Sequence, residues 1–179
     1  MKVFIIGYMG SGKTQMGHFL AKKLGYSYAD LDIEIEKQEN LLVSEIFSKY
    51  GEEYFRKIEK DKLHSLVDTN NNIVISTGGG TPCFFDNMNY MNEKGLTIYL
   101  KVPVNKLIKR LARPISQKKR PILNNLNNEE EIKEFITKHL AERENKYYSK
   151  SNLIIDITNI SFKQLYDIVN YTIWIKEKK

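Results

Sequence analysis

The chain has 179 residues, 41% of them hydrophobic and 28% charged, which is the balance of one globular domain and excludes a wholly disordered chain. No apolar run approaches the roughly 20 residues of a membrane-spanning helix, no secretory leader follows Met1-Lys2, and the lone Cys83 excludes an internal disulfide, so a cytoplasmic location without a membrane partner is expected. The net charge of +6 is made mostly of dispersed lysines, which points to small anionic ligands rather than to nucleic acid.

In chain order, short apolar runs alternate with helical patterns, as in a mainly parallel sheet covered on both faces. Lys2 to Ile6 reads as a buried strand. In the helix from Lys13 to Leu24, Met16, Phe19, Leu20 and Leu24 share a face, and Gly25 stands where that helix should stop. A second strand spans Tyr26 to Asp30, followed by helical segments Asp32–Gln38, Val43–Tyr50 and Glu52–Val67. Asn72 to Ser76 is a third strand, closed by Gly78-Gly79-Gly80. Then come a helix from Phe84 to Lys94, a strand from Leu96 to Leu100 and a helix from Pro103 to Leu111 with proline in its first turn. The polar stretch from Arg113 to Asn128 is too hydrophilic for a core element and reads as a functional loop. A helix from Glu129 to Tyr147, a fifth strand from Leu153 to Ile157 and a final helix from Ser161 to Ile175, anchored by Trp174, complete the chain. The expectation is a three-layer α/β/α domain over residues 1–179, with a central five-stranded parallel sheet.

Gly7-Tyr8-Met9-Gly10-Ser11-Gly12-Lys13-Thr14 matches G-x-x-x-x-G-K-[ST] between a strand and an amphipathic helix, the context a phosphate-binding P-loop requires. Backbone N–H groups of Gly10, Ser11 and Gly12 and the helix start would cradle phosphates, with Gln15 just inside the helix; Lys13 would reach the outer phosphates and the Thr14 hydroxyl would ligate Mg²⁺. Asp30 and Asp32 flank Leu31 at the end of the second strand, where open parallel sheets place their crevice. One carboxylate could serve the metal ion and the other an acceptor hydroxyl. Only five residues are arginines: Arg56, Arg110, Arg113, Arg120 and Arg143. A planar fork grips carboxylate or phosphate in a way lysine does not, so each is a site candidate, although Arg56 and Glu59, three apart on a helix, also fit a plain salt bridge. The glycine triplet is either a flexible turn or a place where a ligand meets the backbone.

In this order and spacing the residues resemble shikimate kinase, a family within the nucleoside-monophosphate-kinase-like group of P-loop proteins. The resemblance rests on the P-loop, Tyr28-Ala29-Asp30-Leu31-Asp32, Ile46-Phe47, Gly51-Glu52, Phe55-Arg56-Lys57-Ile58-Glu59, Ser76 to Gly80, Arg120-Pro121-Ile122-Leu123, and Arg143 before Tyr147. It implies ATP- and Mg²⁺-dependent phosphorylation of the 3-hydroxyl of shikimate, a step of aromatic amino-acid biosynthesis. It further implies that Asp32 is the acceptor ligand and base, and that Asp30 is associated with Mg²⁺ through water. Arg56 and Arg143 would hold the shikimate carboxylate, beside Phe55 and the backbone of Gly78, Gly79 and Gly80. Arg120, in a mobile lid at about residues 113–125, would stabilise the transferring phosphoryl group, and Arg113 would pack on adenine. The acceptor-binding helical region is placed at about residues 32–60.

A gluconate or nucleoside-monophosphate kinase, and a nucleotide-binding regulator without catalysis, are the rival readings. Arg110 is left as a surface residue, and the adenine contacts after the last strand are unassigned. Cys83 is expected to be a small hydrophobe, and His18, His64 and His139 surface or packing residues rather than metal ligands. A monomer is expected, because no apolar stripe remains once the core is assigned.

Overall fold

The computed structural model describes residues 1–112, 126 and 128–178. Five strands, β1 (Lys2–Ile6), β2 (Ser27–Asp30), β3 (Ile73–Ser76), β4 (Leu96–Lys101) and β5 (Leu153–Asp156), form one sheet in the order β2-β3-β1-β4-β5. Every pairing is parallel, with Phe4 opposite Ile75 and Thr97 in register. A parallel sheet buries both faces, and β1 shows how the sequence meets that demand with an unbroken apolar run. Phe4 and Ile6 point to one side, where they pack with Leu31, Phe55, Leu63, Leu111 and Ile136, while Val3 and Ile5 point to the other, against Met16, Leu20, Leu165 and Val169. The first layer is built by α2 (Leu31–Glu39), α3 (Val43–Thr69), α4 (Asn87–Lys94), α5 (Val104–Leu111) and α6 (Glu129–Lys146); α1 (Lys13–Leu24) and α7 (Phe162–Glu177) form the second.

Element ends follow local chemistry. The chain leaves α1 through Gly25 at φ 70, and α3 is two helices joined at Gly51, whose φ of 81 and ψ of 175 no β-carbon would readily accept. The break falls between the two helical segments expected there. Asn128 accepts a hydrogen bond from the Glu131 N–H at the start of α6, and Ser161 and Gln164 form a reciprocal cap on α7.

Three expectations need correction. The helix expected from Phe84 begins at Asn87, because Pro82 starts a short 3₁₀ turn (Thr81–Cys83) and Phe85 takes a left-handed φ of 49. Trp174 does not anchor α7: it is 51% exposed, stacked on Tyr171 and covered by Lys178. Leu165, Val169 and Ile173 hold that helix instead. An apolar stripe does remain outside the core, since Ile168, Tyr171 and Trp174 are exposed on α7. The lid expected at about 113–125, with Arg113 and Arg120, lies outside the described residues.

The connection from β1 runs to β2 on one side while that from its neighbour β3 crosses to β4 on the other, and the C-terminal ends of β1, β2 and β3 open onto the crevice where such folds bind ligands.

Candidate active site

The floor of the crevice is the loop after β1. Gly10 and Gly12 adopt φ of 78 and 92, left-handed values that turn successive N–H groups to one side. The Ser11 N–H bonds the Tyr8 carbonyl at 3.1 Å, and α1 then begins at Lys13 with no side chain among the described residues capping its N-terminus, which leaves first-turn N–H groups and the positive end of the helix dipole for an anion. Lys13 Nζ donates to the carbonyls of Gly7 (2.9 Å) and Tyr8 (3.1 Å), so the ammonium is folded back along the loop. The Ser11 hydroxyl is buried without a hydrogen-bond partner among the described residues. Gln15 is exposed on the first turn of α1. Arg110, on the last turn of α5, is exposed as expected, and it donates from Nη1 to the Gly10 carbonyl at 2.8 Å, a contact its position in the sequence did not assign.

Beside the loop, Thr14 Oγ1 donates to Asp30 Oδ2 at 2.7 Å. A hydroxyl and a carboxylate at a helix N-terminus are the hard oxygen donors that Mg²⁺ takes when phosphates and water complete its shell, so these two residues fit that ion. One residue past Leu31, Asp32 turns inward. Burial, and then the negative charges of Glu59 and Asp30, push its carboxyl up to about 7 from an ordinary 3.8, against the pull of Lys13. A carboxyl poised there is half ionised near neutral pH, where a general base is most useful.

The far wall is cationic. Arg56, on α3, donates from Nε and Nη2 to Glu52 Oε1 (3.1 and 3.0 Å) and from Nη1 to Glu59 Oε2 (2.9 Å). Its guanidinium carbon lies 4.1, 5.1 and 5.8 Å from the rings of Phe84, Phe55 and Phe47, an aromatic collar that holds the fork flat and shields it from water. Glu59 is fully buried and also accepts from Thr81 Oγ1 at 2.6 Å; burial pushes its carboxyl up despite these partners. From α6, Arg143 donates from Nη1 to the Gly79 carbonyl at 2.9 Å, an oxygen that also accepts from the Tyr148 hydroxyl at 2.6 Å.

The glycine triplet is where these groups meet. A β-carbon on Gly80 would lie 2.6 Å from Arg56 Nη2, one on Gly78 would lie 2.8 Å from Glu59 Oε1 and 2.9 Å from Asp32 Oδ1, and one on Gly79 would lie 3.4 Å from the Met9 N. The triplet is therefore a close approach of backbone to the P-loop and to three charged side chains, not a flexible turn. Asp32, Arg56, Arg143, Phe55 and Gly78 to Gly80, far apart in sequence, are all brought to the mouth of the sheet.

Glu59 was legible only as the salt-bridge partner of Arg56, and that bridge is present; what the i, i+3 spacing does not reveal is that Glu59 is also the buried acid against Gly78 and the largest charge acting on Asp32. Cys83 is partly buried and its thiol is pushed up to about 11 by desolvation, in keeping with a small hydrophobe. His18 and His64 pack on Tyr28 and Tyr90, and His139 on Tyr8 and Phe135. A groove of about 600 Å³ between Tyr50, Tyr54, Lys57 and Phe85 lies on the outer face of α3 and contains none of these site residues. Among the described residues, no helix is long and apolar enough to cross a membrane.

Comparison with known proteins gives the family and the fold. A family model described as Shikimate kinase matches residues 9–173. The shikimate kinase of Parabacteroides distasonis is 44% identical over 170 residues, 94% of this chain and 95% of that protein, and that of Bacteroides fragilis is 43% identical over 154 residues, 86% and 83% of the two chains. The crystal structure of shikimate kinase from Bacteroides thetaiotaomicron superposes with a TM-score of 0.82 at 32% identity, covering 97% of this chain and 98% of that one. Shikimate kinase from Acinetobacter baumannii, solved in complex with shikimate, gives 0.83 at 29% identity over 99% and 95%. A deoxyadenosine kinase from M. mycoides, with a TM-score of 0.59 at 16% identity over 97% and 99%, shares the fold alone.

Proposed function

Because the chain belongs to the shikimate kinase family, we propose that the two walls of its crevice divide the transfer of a phosphoryl group from ATP to the 3-hydroxyl of shikimate, giving shikimate 3-phosphate and ADP. The enzyme is an ATP-dependent phosphotransferase of aromatic amino-acid biosynthesis. Gly10 to Gln15 receive the nucleotide phosphates, and Lys13 leaves the carbonyls of Gly7 and Tyr8 to follow the transferring group. Thr14 and Asp30 would hold Mg²⁺, Asp30 by way of water, and the ion would neutralise charge on the phosphates.

Arg56 and Arg143 grip the shikimate carboxylate, with Phe55 behind Arg56 and the backbone of Gly78 to Gly80 against the ring. Asp32 accepts a hydrogen bond from the 3-hydroxyl, orients its oxygen toward the phosphorus and takes up its proton as the new P–O bond forms. The region at about 32–60 is the acceptor side. The segment at about 113–125 serves as a lid that excludes water and brings Arg120 to the transferring group and Arg113 to adenine. The working unit is the single domain of residues 1–179, acting in the cytoplasm on small molecules and not on nucleic acid.

What carries this reading is the convergence of one carboxyl poised near neutrality and two guanidinium groups on the same glycine backbone, a short way from a P-loop. A small ring acid bearing hydroxyls offers one anionic end and one end that must lose a proton, which is what these groups are arranged to meet. The test is a coupled assay of the full chain with ATP–Mg²⁺ and shikimate, gluconate or AMP. Turnover is expected with shikimate alone. Rapid turnover of gluconate would overturn the acceptor assignment, and nucleotide binding without turnover of any acceptor would make the protein a regulator. Arg120→Ala should lower kcat by about 10³-fold while ATP still binds.

A further inference from the structure

The first of the four P-loop positions that the motif leaves free is occupied here by Tyr8, a residue with two separate jobs in its backbone and its side chain. Its carbonyl accepts from Ser11 N–H and Lys13 Nζ, both at 3.1 Å, so the backbone belongs to the phosphate loop. Its ring is 1% exposed, far more buried than a phosphate-loop side chain needs to be, and its hydroxyl pairs with His139 Nδ1 at 2.8 Å across 131 residues of sequence. The two rings also meet edge to face at 5.6 Å, and the Phe135 ring lies 4.9 Å from that of His139. Phe135, His139 and Arg143 stand four residues apart on α6 and therefore share one face. The guanidinium carbon of Arg143 lies 5.8 Å from the centre of the Tyr8 ring, while Nη1 is tied to Gly79.

We propose that Tyr8 is a positioning residue that ties the nucleotide loop to the acceptor side of the cleft: its hydroxyl, bonded to His139, fixes the azimuth of α6, and its ring forms the surface against which Arg143 is held for the shikimate carboxylate. This inference rests on the proposed grip of that carboxylate by Arg143. An arginine side chain is long and loses considerable rotamer freedom when held, and a guanidinium displaced by an ångström loses much of its bidentate grip. Gly79 restrains Arg143 through one hydrogen bond, and the Tyr8 face supplies a second restraint from a different direction. His139 suits the role because burial, and then the nearby Arg143 charge, lower its pKa to about 4. The imidazole is then neutral and adds no second positive charge beside the guanidinium.

The experiment compares wild type, Tyr8→Phe, His139→Phe and His139→Asn as full-length proteins, reading KM for shikimate, KM for ATP and Tm. The loss of one neutral hydrogen bond corresponds to roughly a fivefold change in an equilibrium. Tyr8→Phe and His139→Phe should each raise KM for shikimate by about that factor, and a protein carrying both changes, measured alongside them, should show no larger a rise than either single variant. KM for ATP should change by less than twofold, because the Tyr8 backbone that meets Lys13 is retained. His139→Asn, which keeps a polar atom near the place of Nδ1, should restore much of the loss. An unchanged KM for shikimate in the two Phe variants, with or without a lower Tm, would overturn the proposal, and so would equal rises for both substrates. Wild-type turnover of shikimate is the control: if it is absent the function itself is wrong, whereas normal wild-type turnover with unaltered variants removes only the role of Tyr8.

Discussion

Asp32→Asn removes a negative charge that the fold holds in an unfavourable place, so it should lower activity and raise stability together. Holding the carboxyl at about 7 when it titrates at 3.8 in ordinary surroundings means that the folded state binds its proton more tightly than the unfolded state does. At about 1.4 kcal/mol per pH unit, the full difference is about 4 kcal/mol. Asp32 keeps some contact with solvent, which screens the repulsion from Glu59 and Asp30, and about 2 kcal/mol is the working figure. The sign follows from linkage: a raised pKa contributes stability that is complete below pH 3.8 and is lost as pH rises through 7. The neutral amide escapes that loss. Its Tm at pH 8 should exceed that of wild type by roughly 4 to 8 °C at ~2 to 4 °C per kcal/mol for a domain of this size, and the gap should close steadily as the buffer approaches pH 4. Differential scanning fluorimetry across that range, with turnover measured in parallel, is the assay. Turnover should fall by at least about 10²-fold, and the wild-type kcat/KM should rise through an acid limb near pH 7 that the variant lacks. A Tm gap that is absent at pH 8, or that stays constant with pH, would refute the claim that the site holds this carboxyl against repulsion.

Two further outcomes follow from geometry alone. Gly80→Ala places a methyl group 2.6 Å from Arg56 Nη2 while Gly80 itself has an ordinary helical φ of −93; the flexible guanidinium should swing aside, raising KM for shikimate about tenfold or more with a Tm loss of only a few degrees, as read by initial rates and fluorimetry. Arg110→Met removes the donor to the Gly10 carbonyl and should raise KM for ATP about threefold, with KM for shikimate unmoved, because the exposed arginine touches the phosphate loop and not the acceptor wall.

The order of layers was legible before any coordinates, because a parallel sheet needs apolar runs and its helices need stripes, and both periods are plain in Lys2–Ile6 and in Met16, Leu20 and Leu24. The P-loop was legible for a different reason: its chemistry is local, made of consecutive backbone groups whose conformations only glycine readily permits. The aspartate pair and the scarce arginines could be singled out as chemical types, and the family resemblance lent them roles. Whether they meet is a matter of tertiary structure. Arg56, Gly80 and Arg143 converge because α3, the end of β3 and α6 are carried to the C-terminal mouth of the sheet, and no spacing along the chain encodes that distance. The same holds for the raised pKa of Asp32, which depends on burial and on Glu59 lying nearby, and for Arg110 and Tyr8, whose partners are 100 and 131 residues away. Periodicity also misplaced the start of α4, since Pro82 and the left-handed Phe85 decide it through the path the chain must take around the acceptor wall. Short-range preferences and hydrophobic period are properties of the covalent sequence, whereas electrostatic environment and the juxtaposition of distant side chains exist only once the chain has packed.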